Sequence, residues 1–275
     1  MKDQARRIDT GTDELLCELR ERVAVITLNR PEARNALSDR LSPALRTMIR
    51  RCADDDGVGA VLLTGAGTSF CAGGDVKGMG DRSAKRALSP AERIADLRER
   101  QRLLTGALVA IRKPTVAALP GAAVGAGLSI ALACDVRIAA ESAFAATGYA
   151  RIALSGDYGI ASLLTRLVGT GRARELMFGG ERVDARRAES IGLFNRVVPD
   201  ADLQSEAFAL ARRFANGPAQ ALRLMKDNLD DALVIDFDTA LEREAERLVE
   251  SAGTADHAEA VLAFVEKRAP KFTGG

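Results

Sequence analysis

Thr115-Val116-Ala117-Ala118-Leu119-Pro120-Gly121-Ala122-Ala123-Val124-Gly125-Ala126-Gly127-Leu128-Ser129-Ile130-Ala131-Leu132-Ala133-Cys134 is the stretch whose reading decides the fold. Thr115 to Leu119 reads as a short buried strand. Gly121 to Ala133 reads as a small-residue turn that opens a helix, and Val136-Arg137-Ile138-Ala139 supplies the next strand. Strand, helix and strand in this order predict parallel βαβ units. Upstream, Ala60-Val61-Leu62-Leu63-Thr64 is another buried strand, followed by a glycine-rich loop from Gly65 to Asp75.

Working outward, Leu15 to Leu28 reads as two strands around Arg20-Glu21-Arg22, and Arg30-Pro31 ends the second. Ser38 suits the N-cap of a helix carrying Leu41, Leu45, Met48 and Ile49 at helical spacing. The charged segment from Asp81 to Arg102 predicts a solvated insertion containing a helix. From about Asp200 the periodicity of Ala207-Leu210-Phe214, Ala221-Leu224-Met225 and Leu241-Leu248 is helical. The plan is therefore an α/β core over residues 1–199 and a helical region over 200–275, with no internal repeat.

Composition narrows the function classes. With 47% hydrophobic and 28% charged residues, the 275-residue chain is neither disordered, collagen-like nor a disulfide scaffold. A net charge of +1 gives no global field toward nucleic acid or a membrane surface. The aromatic content is 4% without tryptophan, which disfavours stacking on bases. Cys17, Cys52, Cys71 and Cys134 are far apart with no CxxC pair, so they suggest neither a zinc site nor a disulfide framework. The single histidine, His257, sits in a charged helical stretch and reads as a surface residue. The polar start Met1 to Arg7 is no signal peptide, and no apolar run reaches the length of a membrane span. A cytoplasmic location is expected.

Three motif readings are weak. Gly125-Ala126-Gly127 lacks the third glycine of a dinucleotide fingerprint, because position 130 is Ile. The Gly65 to Gly73 loop has no Gly-Lys-Ser/Thr ending and is not a P-loop. Gly127-Leu128-Ser129-Ile130-Ala131 as a nucleophile elbow would need His257 as its base. Two glycine-rich turns, each after a buried strand, remain: Cys71 to Val76 and Pro120 to Gly127. Small residues there serve close strand–helix packing, or expose N–H groups that can face a developing oxyanion.

Leu28-Asn29-Arg30-Pro31-Glu32-Ala33-Arg34-Asn35-Ala36-Leu37 resembles the opening signature of the enoyl-CoA hydratase/isomerase (crotonase) superfamily. Ser69 to Val76 and Lys113 to Asp135 resemble its two oxyanion loops, and Ala185 to Pro199 and Phe264 to Pro270 its later landmarks. The resemblance covers residues 14–272 in order. It implies an α/β spiral of stacked ββα units with a helical C-terminal trimerisation region, as a homotrimer or dimer of trimers. It implies an acyl-CoA thioester substrate, with coenzyme A as part of the substrate and no further cofactor or metal. The N–H groups of Gly74 and Ala126 would hold the thioester oxygen, in loops that include Gly73, Asp75 and Gly127. Arg34, Ala36 and Ala72 would lie along CoA, with Phe264 and Lys267 reaching a neighbouring subunit's CoA phosphate.

The sequence departs from the family's hydratases, which use two glutamates. Ser129 and Tyr149 stand at the matching positions, where they could serve as pocket hydroxyls, and no acid lies between Glu141 and Asp157. Water addition needs acid–base work at two points, whereas moving a double bond needs one proton carrier. Asp157 reads either as a helix N-cap or as that carrier. A β,γ to α,β isomerase is expected; a hydratase, a hydrolase or dehalogenase using Asp157, and a non-catalytic CoA-binding homologue are the alternatives.

Overall fold

The computed structural model describes residues 5–75 and 88–274. Val76 of the first glycine turn and positions 81–87 of the charged segment lie outside the described residues.

Strands β1 (Arg6–Ile8), β2 (Leu15–Arg20) and β3 (Val23–Leu28) form an antiparallel start. Helix α1 (Leu41–Asp54) then leads to β4 (Ala60–Gly65) and the short β5 (Ser69–Cys71). Next come α2 (Pro90–Gln101), a π-helical turn (Arg102–Gly106) and α3 (Ala107–Ala110). The stretch that decides the fold becomes β6 (Thr115–Leu119), β7 (Ala122–Val124) and α4 (Ala126–Leu132). It is followed by β8 (Val136–Ala140), β9 (Phe144–Ala146) and α5 (Ile160–Gly179), which is broken at Gly169. The chain continues through β10 (Val183–Asp184), α6 (Ala185–Ser190) and β11 (Arg196–Val198). It finishes with α7 (Leu203–Ala215), α8 (Ala219–Asp231), α9 (Phe237–Ala252) and α10 (Ala255–Val265).

Two sheets result. The larger has the order β1-β2-β3-β4-β6-β8-β11, parallel from β3 onward, and the smaller is β10-β9-β7-β5. Each central strand of the large sheet hands the chain to the small one: β4 to β5, β6 to β7, β8 to β9. The fold is therefore a spiral of ββ turns, the last two each closed by a helix, α4 and α5. β4 and β6 are buried along their whole length, which is why they read as unbroken apolar runs rather than alternating ones. Helix α7 lies across β3, β4, β6 and β8, so the first helix of the predicted C-terminal region covers the sheet.

Helix α1 begins at Leu41, later than an N-cap at Ser38 implies, yet Ser38 Oγ accepts the Leu41 N–H at 2.9 Å. Asn35, fully buried at φ 56, clamps the chain after β3 onto the β4–β5 loop. Its side-chain Oδ1 accepts the Arg30 N–H at 2.8 Å, and its Nδ2 donates to Ala66 O at 2.9 Å and Ser69 O at 2.7 Å. Each such bond contributes about 0.5–1.5 kcal/mol, and more is lost when a buried partner is left unpaired. Helix α8 is tied to the body by Arg112 with Asp227 (2.8 Å) and Asp230 (2.9 Å), and by Lys226 with Asp135 (2.8 Å). Met225, Leu229, Phe237, Leu248, Val249 and Phe264 leave an exposed apolar face on α8, α9 and α10. Among the described residues no helix is long and apolar enough to cross a membrane.

Candidate active site

Two backbone N–H groups, those of Gly74 and Ala126, lie just beyond the ends of β5 and β7. Gly73 sits at φ 92, and its carbonyl accepts the Leu37 N–H at 2.8 Å. In a trans peptide the next N–H points the opposite way, so the Gly74 N–H is turned away from Leu37. Ala126 is the first residue of α4, where a helix has no internal acceptor for its N–H. Neither N–H has an acceptor among the described residues. The gap between the turns is narrow: a Cβ on Gly73 would lie 3.5 Å from Ala126 N and 2.8 Å from Val124 O. The helix N-terminus adds a partial positive charge at the same place. Burial pushes the Cys71 thiol, at the end of β5, up to about 12, so it stays protonated at neutral pH.

A carboxylate lies in the segment that packs against α4. The segment before α5 has Gly156 at φ 112, Tyr158 at φ 52 and Gly159 at φ 77, three left-handed residues around Asp157. Tyr149 Oη donates to Asp157 Oδ1 at 2.7 Å. Ser129 Oγ, one turn into α4 from Ala126, donates to the Asp157 backbone carbonyl at 3.3 Å and faces Gly125 O at the same distance. The Asp157 segment is thus stapled to the helix whose first N–H is free. Burial holds the Asp157 carboxyl above the ordinary carboxylate range, and the Tyr149 hydrogen bond opposes that shift. Burial, followed by the carboxylate contact, raises the Tyr149 phenol well above its usual range, so it remains a donor.

The N-cap reading of Asp157 is corrected. Helix α5 starts at Ile160 with Gly159 at its N-cap and no side-chain cap; the carboxylate is spent on Tyr149 instead. Ser129 is fully buried with its hydroxyl on carbonyl oxygens, which makes it a staple rather than an open pocket hydroxyl. Gly127 is also a packing position: a Cβ there would lie 2.3 Å from Cys71 O. Asp75 pairs with Arg30 at 3.2 Å, which orients the first turn. Arg34 is exposed at φ 52 and its carbonyl accepts the half-buried Ala72 N–H at 3.0 Å; Ala36 is buried, its carbonyl accepting from Arg30. Arg34 and Ala72 therefore edge the first turn together. Phe264 and Lys267 are exposed at the end of α10, whose main packing partner is α9. Sequence reasoning gave no role to Asn35, although an Asn in a signature turn is a common left-handed clamp. No cluster of metal-ligating side chains occurs among the described residues.

A spiral of this kind is shared with solved structures of enoyl-CoA hydratases. Residues 18–275 match the family profile described as enoyl-CoA hydratase/isomerase. The 1,2-epoxyphenylacetyl-CoA isomerase of Escherichia coli is 36% identical over 263 residues, covering 94% of this chain and 98% of the relative. The short-chain-enoyl-CoA hydratase of Clostridium acetobutylicum is 34% identical over 257 residues, covering 93% and 96%. A solved enoyl-CoA hydratase from Mycobacterium smegmatis superposes with a TM-score of 0.85 at 31% identity, over 95% of this chain and 99% of that one. The chain belongs to the enoyl-CoA hydratase/isomerase family and is an acyl-CoA enzyme of the crotonase superfamily.

Proposed function

We propose that the protein moves a double bond of an acyl-CoA thioester from the β,γ to the α,β position. The observation that carries this reading is Asp157: one carboxylate, held above its usual pKa by burial and stapled to the helix that starts with Ala126. Asp157 takes a proton from the α carbon, and the electron pair moves to the thioester oxygen. The Gly74 and Ala126 N–H groups stabilise that oxygen as an enolate. Asp157 then returns the proton to the γ carbon, so the product has the mass of the substrate. Coenzyme A takes part only as the substrate's handle. One of the relatives named above is an isomerase and another a hydratase, so the family accommodates either chemistry.

Mass spectrometry with chromatographic separation of isomers, on a panel of short, medium and aryl α,β- and β,γ-enoyl-CoAs, tests the reading. A new isomer of unchanged mass is expected. Gain of one water with CoA retained would mean hydration, and release of free CoA would mean hydrolysis with Asp157 as nucleophile; either overturns it. An unchanged panel with retained CoA affinity would favour a non-catalytic homologue.

The pH profile carries its own expectation. A base works ionised, so kcat/KM falls as pH drops through the raised Asp157 pKa. Tyr149 donates to the ionised form and lowers that pKa. In Tyr149→Phe the acid limb should therefore move to higher pH, measured as kcat/KM against pH. A limb that stays or moves down would detach Tyr149 from the base.

The exposed apolar face of α8, α9 and α10 supports assembly through these helices, as a homotrimer or a dimer of trimers, with Phe264 and Lys267 turned toward a neighbouring subunit's CoA. Exposed apolar side chains on neighbouring helices are the kind of surface that assembly covers. Light scattering should give a trimer or hexamer mass; a monomer mass would remove the assembly role of this face.

A further inference from the structure

Gln101 lies outside every signature in the sequence, yet it touches the segment that carries Asp157. It is the last residue of α2, a helix with no buried residue of its own. Immediately after it the chain makes the π-helical turn Arg102–Gly106, where Leu104 and Thr105 become buried and pack toward α1 and α4. Single π turns inside helices recur at functional sites. Here the half-buried Gln101 side chain points its Oε1 at the Tyr158 backbone N–H, 2.6 Å away.

That N–H belongs to the residue after Asp157, at φ 52, a conformation that costs a bulky L residue free energy and persists only when its surroundings impose it. Glycines at 156 and 159 supply the adjoining turns without such cost, so Tyr158 is the strained member of the segment. Its N–H bond to Gln101 offsets the strain at that residue. The Asp157 side chain is fixed at one end by Tyr149 and its carbonyl by Ser129; Gln101 fixes the peptide that follows.

We propose that Gln101 is a positioning residue: by accepting the Tyr158 N–H it holds the Gly156–Gly159 segment so that the Asp157 carboxylate stays on Tyr149. It acts through Asp157 and touches no reacting atom. Helix α2, which buries no residue of its own, is thereby coupled to the proton carrier through the Gln101 side chain. The role presupposes Asp157 as the base of the proposed isomerisation.

Gln101→Met keeps the length and apolar stem but replaces the amide acceptor with a weakly accepting thioether, while Gln101→Glu keeps an accepting oxygen. Hydrogen–deuterium exchange of the peptide spanning Gly156 to Leu163 reads the contact directly. Exchange at Tyr158 is expected to quicken about tenfold in Gln101→Met, the factor that about 1.4 kcal/mol converts to, and to remain near wild type in Gln101→Glu. With β,γ-hexenoyl-CoA, Gln101→Met should lose about tenfold in kcat at an unchanged KM, and Gln101→Glu should recover it on the alkaline plateau. Wild-type exchange and kcat in Gln101→Met overturn the inference. So does an equal loss in both variants, which would reflect packing alone. Asp157→Asn separates the two readings: its turnover surviving overturns the base and the role of Gln101 together, whereas an inactive Asp157→Asn beside a wild-type Gln101→Met overturns Gln101 alone.

Discussion

Asp157→Asn is expected to bind acyl-CoA with wild-type affinity and to lose about 10²–10⁴-fold in kcat, the usual contribution of a positioned acid–base group. The substitution is nearly isosteric. The Asn amide oxygen still accepts the Tyr149 Oη, so the segment between Gly156 and Gly159 keeps its anchor. The backbone carbonyl that receives Ser129 is untouched. What disappears is the ability to take a proton. The loss should fall on kcat and kcat/KM together, since the interaction removed exists in the transition state and not in substrate binding. Stopped assays on β,γ-enoyl-CoA with product separation measure both constants. Turnover at the wild-type rate would remove Asp157 from the chemistry.

Stability should move the other way. A carboxyl whose folded pKa is raised binds its proton more tightly in the native state than in the unfolded chain. Native stability therefore carries a penalty that is fully present above the folded pKa and vanishes as pH falls below the unfolded value. Near neutral pH the wild-type enzyme bears that penalty and Asp157→Asn does not. The variant should thus melt at the same temperature or higher, the pattern of a residue kept for function at a cost in stability. A clear drop in melting temperature would mean that Asp157 is there for the fold.

Legibility of the fold followed burial. Thr115–Leu119 and Ala60–Gly65 are buried throughout, and their unbroken apolar runs announce parallel strands. The second sheet was hidden for a physical reason: β7 is Ala-Ala-Val and β9 is Phe-Ala-Ala, three-residue segments rich in a poor strand former. They are strands because β5, β7 and β9 pair with one another across the spiral, which no local window contains. At the site, Asp157 stood out as a residue type at a position, but not what it bonds. Its contact with Tyr149, eight positions earlier, depends on the left-handed backbone of Gly156, Tyr158 and Gly159. Tyr158 is the one of these whose conformation its residue type does not announce. Gln101, 57 positions from its partner and in a charged insertion, gave no local signal at all.

Ala126→Pro should remove one of the two N–H donors while leaving the helix in place. Position 126 is the first residue of α4, where proline is well tolerated because that N–H has no internal partner and the ring presets the helical φ. The preceding Gly125, at φ 54 and ψ −125, is outside the α region that a residue before proline must avoid, and its own N–H stays bonded to Ala146 O at 3.0 Å. The next helical bond, Ser129 N–H to Gly125 O at 3.0 Å, is unaffected. Loss of a single oxyanion donor costs about 10²–10³-fold in kcat, or roughly 2.7–4 kcal/mol. Ala126→Ser retains the N–H and should stay close to wild type, so the pair isolates the donor from the side chain. Circular dichroism melts confirm that both variants are folded before rates are compared. A folded Ala126→Pro protein with wild-type kcat would exclude this N–H from the transition state. Combined with Asp157→Asn, the proline should add much less than its own single loss, because proton removal and enolate stabilisation serve one transition state and act as a unit. Strict additivity would instead place the two residues in separate steps.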